Sequence, residues 1–565
     1  MDNKRWAIIL FIIFIIVSFP LFKIWYIFSL DQVLNPNWWT PKVWDHIYWV
    51  WLLSQIFVFF HIPVWILEKI IIILTLWLPL LSWYLFFKDT KNIYVVLFAS
   101  FLLLFNPFLY GRFIDGQINI YLSFSLFTLF FYFLKNIFEK FNLKDLAILS
   151  WLSLLLCLTS IHNAVFLFFI FLIFWIVYIK KTWIKNISKI FIWVWIINLF
   201  WIIPFFFSSQ NDKFELIKQI KDFWIEQQQA FSTLKDENIY FNILSMNWYW
   251  WEWEKRFITN KEINEKWKNL FLLLFIIVLL WIFYRLFINK ENNTFEKWLI
   301  ILWVISFILA LWNSNNNIFT NISNLLYQYF PFYKWFREPQ KWVMFLVMIY
   351  AYFWAYWVKY INECLWKYKI NSFSKKSILW VLILIPIFYT PKILFWFTWQ
   401  ISIQNYPIEW QEIKNITYSN NSLNCEYLSK NISTKCYDTL VFPRHSYMWI
   451  KWVWKIVWGW IVMYFWDNVL FWDNLEIRNI YSSSSRPESK IIEKYIGPSG
   501  VFKWDYNNHM IHFINDLKWL WINRIILLKE ADYKLYDEIL LKLEKNKLIE
   551  LEKSNSMVKL FKIIK

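Results

Sequence analysis

Asn106-Pro107-Phe108-Leu109-Tyr110-Gly111-Arg112-Phe113-Ile114-Asp115-Gly116-Gln117 joins the apolar run 93–110 to the apolar run 118–134. Runs of that length suit a bilayer core of about 30 Å, which about 20 helical residues cross. The segment therefore reads as a tight turn at a membrane boundary, carrying Arg112, Asp115 and two of the chain's five Gly. Outward from it, further apolar runs lie at 7–28, 66–87, 146–160, 163–179, 188–207, 269–288, 297–312, 342–360 and 377–398. Together they predict an α-helical polytopic membrane protein with about eleven transmembrane helices.

Cations fix the expected orientation. Lys4 and Arg5, Lys88 and Lys91, and the basic stretches 135–144, 180–189, 285–297 and 359–376 all fall in breaks on one side, which the positive-inside rule makes cytoplasmic. The N-terminus is then cytoplasmic, and its first apolar run reads as a retained helix, since no small-x-small cleavage site follows. An odd number of spans puts the tail outside. The stretch 45–63 is also apolar and is read as a span, a re-entrant segment or an interfacial helix; as a span it would return the tail to the inside. The expected division is a transmembrane domain 1–399 with outer loops 29–46, 208–268 and 313–341, then an extracytoplasmic soluble α/β domain 400–565. In the long loop, Phe214, Leu216, Ile217, Ile220 and Phe223 recur at mostly helical steps, as in an interfacial helix. The tail predicts a strand 524–529, a helix 533–547 and strands 548–553 and 557–564.

The formal charge of +18 is explained by loop lysines meeting anionic headgroups, so nucleic acid is not expected as a partner. Four Cys are too few for a disulfide scaffold. Cys425 and Cys436 fall in the part expected outside the cytoplasm, where they are a candidate disulfide.

Forty-five Trp against five Gly is an inversion of ordinary usage. Gly averages about 7% of residues, or about 40 in a chain of this size. Trp449, Trp452, Trp454, Trp458, Trp460, Trp466 and Trp472 punctuate one short stretch where turns are expected. Glycine would serve such positions better than indole. The pattern fits a gene in which UGA encodes glycine but has been read as tryptophan.

No P-loop, GxGxxG, HExxH or CxxC pair is present, and the six His are mostly scattered, so no cofactor or zinc site is expected; a divalent metal stays open. Polar groups at membrane boundaries carry the chemistry, because they are costly there unless solvated, paired or used. Asp31, at the outer end of the first run, is either a general base for an acceptor hydroxyl or a solvated loop residue; Asp45 and His46 are runners-up. Arg112 is either a phosphate ligand or the partner of Asp115. In Phe336-Arg337-Glu338-Pro339-Gln340-Lys341, two cations and a carboxylate sit at the mouth of the next run, placed either to neutralise a lipid-linked phosphate or to snorkel to headgroups.

The turn 106–117, the run 337–341 and, in the tail, Pro443, His445, Tyr447, Asp473, Asn474, Glu476, Ile480 and Tyr481 give the chain a resemblance to poorly characterised bacterial membrane proteins of the C-type glycosyltransferase (GT-C) kind, akin to the membrane region of arabinofuranosyltransferases. Glycine at Trp354, Trp357, Trp466 and Trp472 would improve it. The resemblance implies a multi-pass cell-membrane enzyme that moves a sugar from a polyprenyl-phosphate donor to an extracytoplasmic glycan or lipid acceptor. It also implies that Asp31 is the catalytic base, although Gln32 stands where a second acid is common. Arg112, Asp115, Gln117, Arg337, Glu338 and Lys341 are the candidate substrate-binding residues. Two rivals are a transporter or flippase of lipid-linked sugars and a non-catalytic envelope assembly protein. A transporter favours ionisable groups deep in spans, where Lys23 is the main one expected.

Overall fold

The structure is a computed structural model. It describes residues 3–29, 48–207 apart from 91, 161 and 179–183, 238–247, 267–285, 294–311, 325, 326, 329, 338–419 apart from 369, 395, 396, 398 and 399, 438–496 apart from 444, 446, 466–468, 471–475, 478, 479 and 482–486, and 508–564.

Apolar helices dominate the first 390 residues: α1 Asn3–Ser18, α2 Tyr48–Phe59, α3 Val64–Phe87, α4 Ile93–Leu104, α5 Pro107–Asp115, α6 Ile118–Glu139, α7 Leu143–Thr159, α8 His162–Tyr178, α9 Ile184–Phe207, α10 Ile239–Leu244, α11 Trp267–Phe283, α12 Thr294–Ala310, α13 Val343–Lys367 and α14 Ser372–Tyr389. Five stretches are long and apolar enough to cross a membrane by length and composition: Val64–Thr90, Ile93–Asp115, Ile118–Glu139, Pro339–Lys367 and Ser372–Tyr389. This is a helical membrane protein. α3 and α13 pack against α4, and α3 and α7 flank α6. α13 is buried almost throughout, from Val343 to Ala355, which marks it as the bundle's central helix.

One local reading changes. The first apolar run, expected as one helix over 7–28, stops at Ser18, gives a 3-10 turn Phe19–Phe22 around Pro20, and ends in the strand β1 Tyr26–Phe28. Proline cannot donate the backbone N–H that would continue the helix. α2 has 12 residues.

Beyond residue 400 the chain turns to strands. β2 Ser402–Gln404 pairs antiparallel with β1, Ile27 opposite Ile403. After α15 Ile408–Ser419 come β3 Thr439–Phe442, the hairpin β4 Tyr447–Ile450 and β5 Lys455–Trp458, β6 Val469–Leu470, β7 Glu476–Ile477, β8 Ile480–Tyr481, α16 Pro487–Glu493, α17 Asn508–Trp519, β9 Arg524–Leu528, α18 Lys534–Lys545, β10 Ile549–Ser554 and β11 Val558–Ile563. Five of these strands form a mixed sheet in the order β10-β11-β9-β3-β6. β3 runs parallel to β9 and β6, while β11 runs antiparallel to both of its neighbours, β9 and β10. Strand alternation sorts the two faces. Leu440, Phe442, Ile525, Leu527 and Phe561 pack with α17 and α18 through Phe513, Ile514, Leu540 and Leu543. Val441, Ile526, Leu528, Val558 and Leu560 join Tyr406, Trp410 and Ile413, and through them Tyr26 and Phe28 of β1. The sheet thus rests on the bundle end from which β1 emerges.

Candidate functional site

The expected turn at 106–117 is a short helix, because its sequence closes both ends. Asn106 Oδ1 accepts the Leu109 N–H at 2.8 Å, while its Nδ2 donates to the carbonyls of Leu102 at 3.1 Å and Leu103 at 2.8 Å. One buried amide therefore caps the start of α5 and occupies carbonyls at the end of α4. Pro107 follows at the first helical position, where a missing N–H is harmless. Gly116 ends the helix at φ 76°, with its N–H bonded to Phe113 O and the Gln117 N–H to Arg112 O, each at 3.0 Å. This pair of bonds is a Schellman cap, and it folds Gln117 back beside Arg112.

Arg112 is 1% exposed. Its Nη1 donates to Gln117 Oε1 and, at 2.8 Å, to Glu338 Oε2. The Phe108 ring lies one turn earlier, 5.6 Å from the guanidinium carbon. Lys341 Nζ stands 4.0 Å from the same Glu338 oxygen. A 3-10 turn Pro339–Trp342 sets that spacing, with the Lys341 N–H bonded to Glu338 O at 3.2 Å. Trp342 anchors the turn against α8, its ring 4.6 Å from Phe166 and 5.5 Å from Phe169. Two buried cations thus converge on one buried carboxylate, and the trio carries one net positive charge. A buried ion pair stabilises little beyond what apolar residues would achieve. Its presence inside a membrane bundle points to use.

An aromatic column holds α5 in place. Phe113 stacks on Tyr121 at 4.3 Å and on Phe397 at 4.9 Å, and Phe397 stacks on Tyr110 at 5.7 Å. Gln400 Nε2 donates to the Tyr110 hydroxyl at 3.0 Å. β1 closes the same end. The Ser29 hydroxyl donates to Ile114 O, and the Ile27 N–H donates to Glu68 Oε2 at 2.8 Å. Burial first, and the Glu68 charge second, hold the Tyr26 hydroxyl well above its ordinary value. Burial likewise raises Tyr406, with Tyr26 and then Glu68 adding to it.

Of the residues expected from sequence, Arg112, Gln117, Glu338 and Lys341 meet in one cluster. Asp115 is fully buried at the last residue of α5. Asp31, Arg337, Cys425 and Cys436 lie outside the described residues, as do Asp45, His46 and the stretch 214–223. The ion pair found for Arg112 is with Glu338, from a distant segment, so the cluster is not a device local to the turn. Lys23, expected as the main ionisable group within a span, is exposed; Glu68 and Lys69 are among the buried ionisable groups of the candidate spans. Sequence reading passed over them inside the run 66–87. Their signal was a Glu-Lys pair in an otherwise apolar stretch. Among the described residues, no three His, Cys, Asp or Glu side chains gather as a metal site would require.

No family model and no curated protein matches the chain. Among solved structures, the cryo-EM structure of the arabinofuranosyltransferase AftD from mycobacteria is similar, with a TM-score of 0.56 at 8% identity over 100% of this chain and 42% of that one. A second class of the same protein gives a TM-score of 0.49 at 9% identity, covering 100% of this chain and 41% of that one. The chain spans less than half of AftD's length. The fold is GT-C-like.

Proposed function

We propose that this protein is an inverting membrane glycosyltransferase that takes a sugar from a polyprenyl-phosphate donor and places it on an extracytoplasmic glycan or lipid. The observation that carries the reading is the Arg112–Glu338–Lys341 cluster, buried at one end of a helical bundle of GT-C-like fold. In this reading Asp31, two residues beyond Ser29 in sequence, takes the proton of the acceptor hydroxyl. The acceptor oxygen attacks the anomeric carbon, the bond from that carbon to the phosphate oxygen breaks, and polyprenyl phosphate leaves with the bonding pair. Arg112, Arg337 and Lys341 meet the charge that grows on the leaving phosphate. Gln117 and Glu338 hold Arg112 in its orientation, which spares reorganisation at the moment of transfer. Asp115 supports the same helix end. The bundle end bearing the cluster faces out of the cytoplasm, and the five-stranded sheet forms an extracytoplasmic domain that helps to seat the acceptor.

The test is transfer by purified protein in nanodiscs supplied with labelled polyprenyl-phosphate sugar and envelope extract. Wild type forms a labelled product, and Asp31→Asn lowers its rate by about 100-fold or more while the protein stays in the membrane. Undiminished transfer by the variant removes Asp31 from the mechanism. Donor carried across a bilayer without bond formation would identify a flippase instead.

A further inference from the structure

Glu68 stands at the outer edge of β1. β2 occupies one edge of that strand, and the Ile27 N–H faces away from it. A buried backbone donor of this kind needs an acceptor, and Glu68 Oε2 supplies it from the first turns of α3. The next residue, Lys69, is 5% exposed, and its ammonium makes no hydrogen bond among the described residues. One residue after β1, Ser29 is tied to α5 through Ile114 O. Residues 27–29 are therefore held from two sides, to α3 by a carboxylate and to α5, the helix of Arg112, by a hydroxyl. The segment that follows carries Asp31.

We infer that Glu68 is a positioning residue for sugar transfer, fixing the strand that leads into the first outer loop relative to the Arg112 helix. This rests on the function proposed above. A glutamine at 68 keeps an oxygen for the Ile27 N–H, whereas an alanine strands that donor. In the nanodisc assay Glu68→Gln holds kcat within about threefold of wild type, while Glu68→Ala loses about tenfold or more in kcat with the donor KM little changed, as expected when only transition-state alignment is lost. Wild-type kcat in Glu68→Ala overturns the inference, and so does a Glu68→Gln variant that folds yet is as slow as Glu68→Ala. Absence of transfer by the wild-type protein would instead remove the function itself.

A separate observation concerns backbone. Trp25, Trp454 and Trp521 have φ of 103°, 58° and 64°. The first value is far outside what a side chain with a Cβ favours, and the other two are left-handed, where a bulky residue is an outlier. Trp521 closes α17 with its N–H on Lys518 O and the Ile522 N–H on Leu517 O, each at 2.9 Å. That is the cap which Gly116 makes on α5. Trp454 ends the loop between β4 and β5, bonded to Ile450 O at 2.9 Å, with its side chain largely exposed. Elsewhere, the indole N–H groups of Trp49, Trp83, Trp410 and Trp452 are buried with no hydrogen-bond partner among the described residues. At 25, 454 and 521 the backbone thus suits glycine better than indole.

We propose that Trp25, Trp454 and Trp521 are glycine positions in the protein as its own cell makes it, decoded from UGA. Tandem mass spectrometry of protein isolated from that cell decides the matter on the tryptic peptide 519–524, Trp-Leu-Trp-Ile-Asn-Arg as written. Fragment ions showing Gly at 521 support the proposal. Fragment ions showing Trp at 521 overturn it there, and the peptide 452–455 repeats the test at 454.

Discussion

Arg112 is where the account is most specific at the scale of a residue. A lysine could supply the same charge but not the planar fork that serves Gln117 and Glu338 through one nitrogen while keeping further donors. The sequence singled out Arg112, Glu338 and Lys341 as candidates, because ionisable groups at the edges of apolar runs are few. It did not show that they meet: 226 residues separate Arg112 from Glu338, and only packing brings such segments together. Glu68 was missed for the opposite reason. It lies inside an apolar run, and its role is to accept a backbone N–H that belongs to a strand the sequence read as helix. The three positive-φ Trp were visible only as a compositional excess until the backbone gave them individual angles.

Among the elements, α5 does most to build the site, and Asn106 does most to build α5. Removing its side chain by Asn106→Ala deprives the Leu109 N–H of its cap and two buried carbonyls of α4 of their donor. Loss of an N-cap alone costs about 1 kcal/mol, and stranded buried acceptors add to that. Asn106→Ala is therefore expected to lower the thermal midpoint in detergent clearly, and Asn106→Asp at least as much, because it sets a buried carboxylate oxygen against the two carbonyls that Asn106 Nδ2 serves. Equal midpoints for all three proteins would show that the amide does not hold the junction. Element positions were largely legible from sequence: β9, α18, β10 and β11 fall within one or two residues of the strand, helix and strands expected at 524–564. Each of the apolar runs also contains a helix. What was not legible is where an apolar run stops being one. At 106–117 the Asn, Pro and Gly that suggested a turn are equally the caps of a short helix, and at Pro20 a helix gives way to a strand within a continuous apolar stretch.

At the scale of the whole molecule, the design is a bundle end sealed by a strand pair and capped by a sheet. β1 and β2 come from residues 26–28 and 402–404, so the two ends of the helical region are stitched together beside α5. The mixed sheet then buries one face on that stitch and the other under α17 and α18. No pattern in the sequence reports such a long-range pairing, since a three-residue strand carries almost no periodicity of its own. The central claim is that this end of the bundle binds a lipid-linked phosphate through Arg112 and Lys341. Equilibrium binding of labelled polyprenyl-phosphate sugar to protein in nanodiscs tests it, comparing wild type with Lys341→Gln and with the double variant Arg112→Gln, Glu338→Gln, which leaves no carboxylate stranded. The account predicts affinity roughly tenfold weaker or worse in both variants, about 1.4 kcal/mol per tenfold. Wild-type affinity in variants that keep the wild-type thermal midpoint would contradict it.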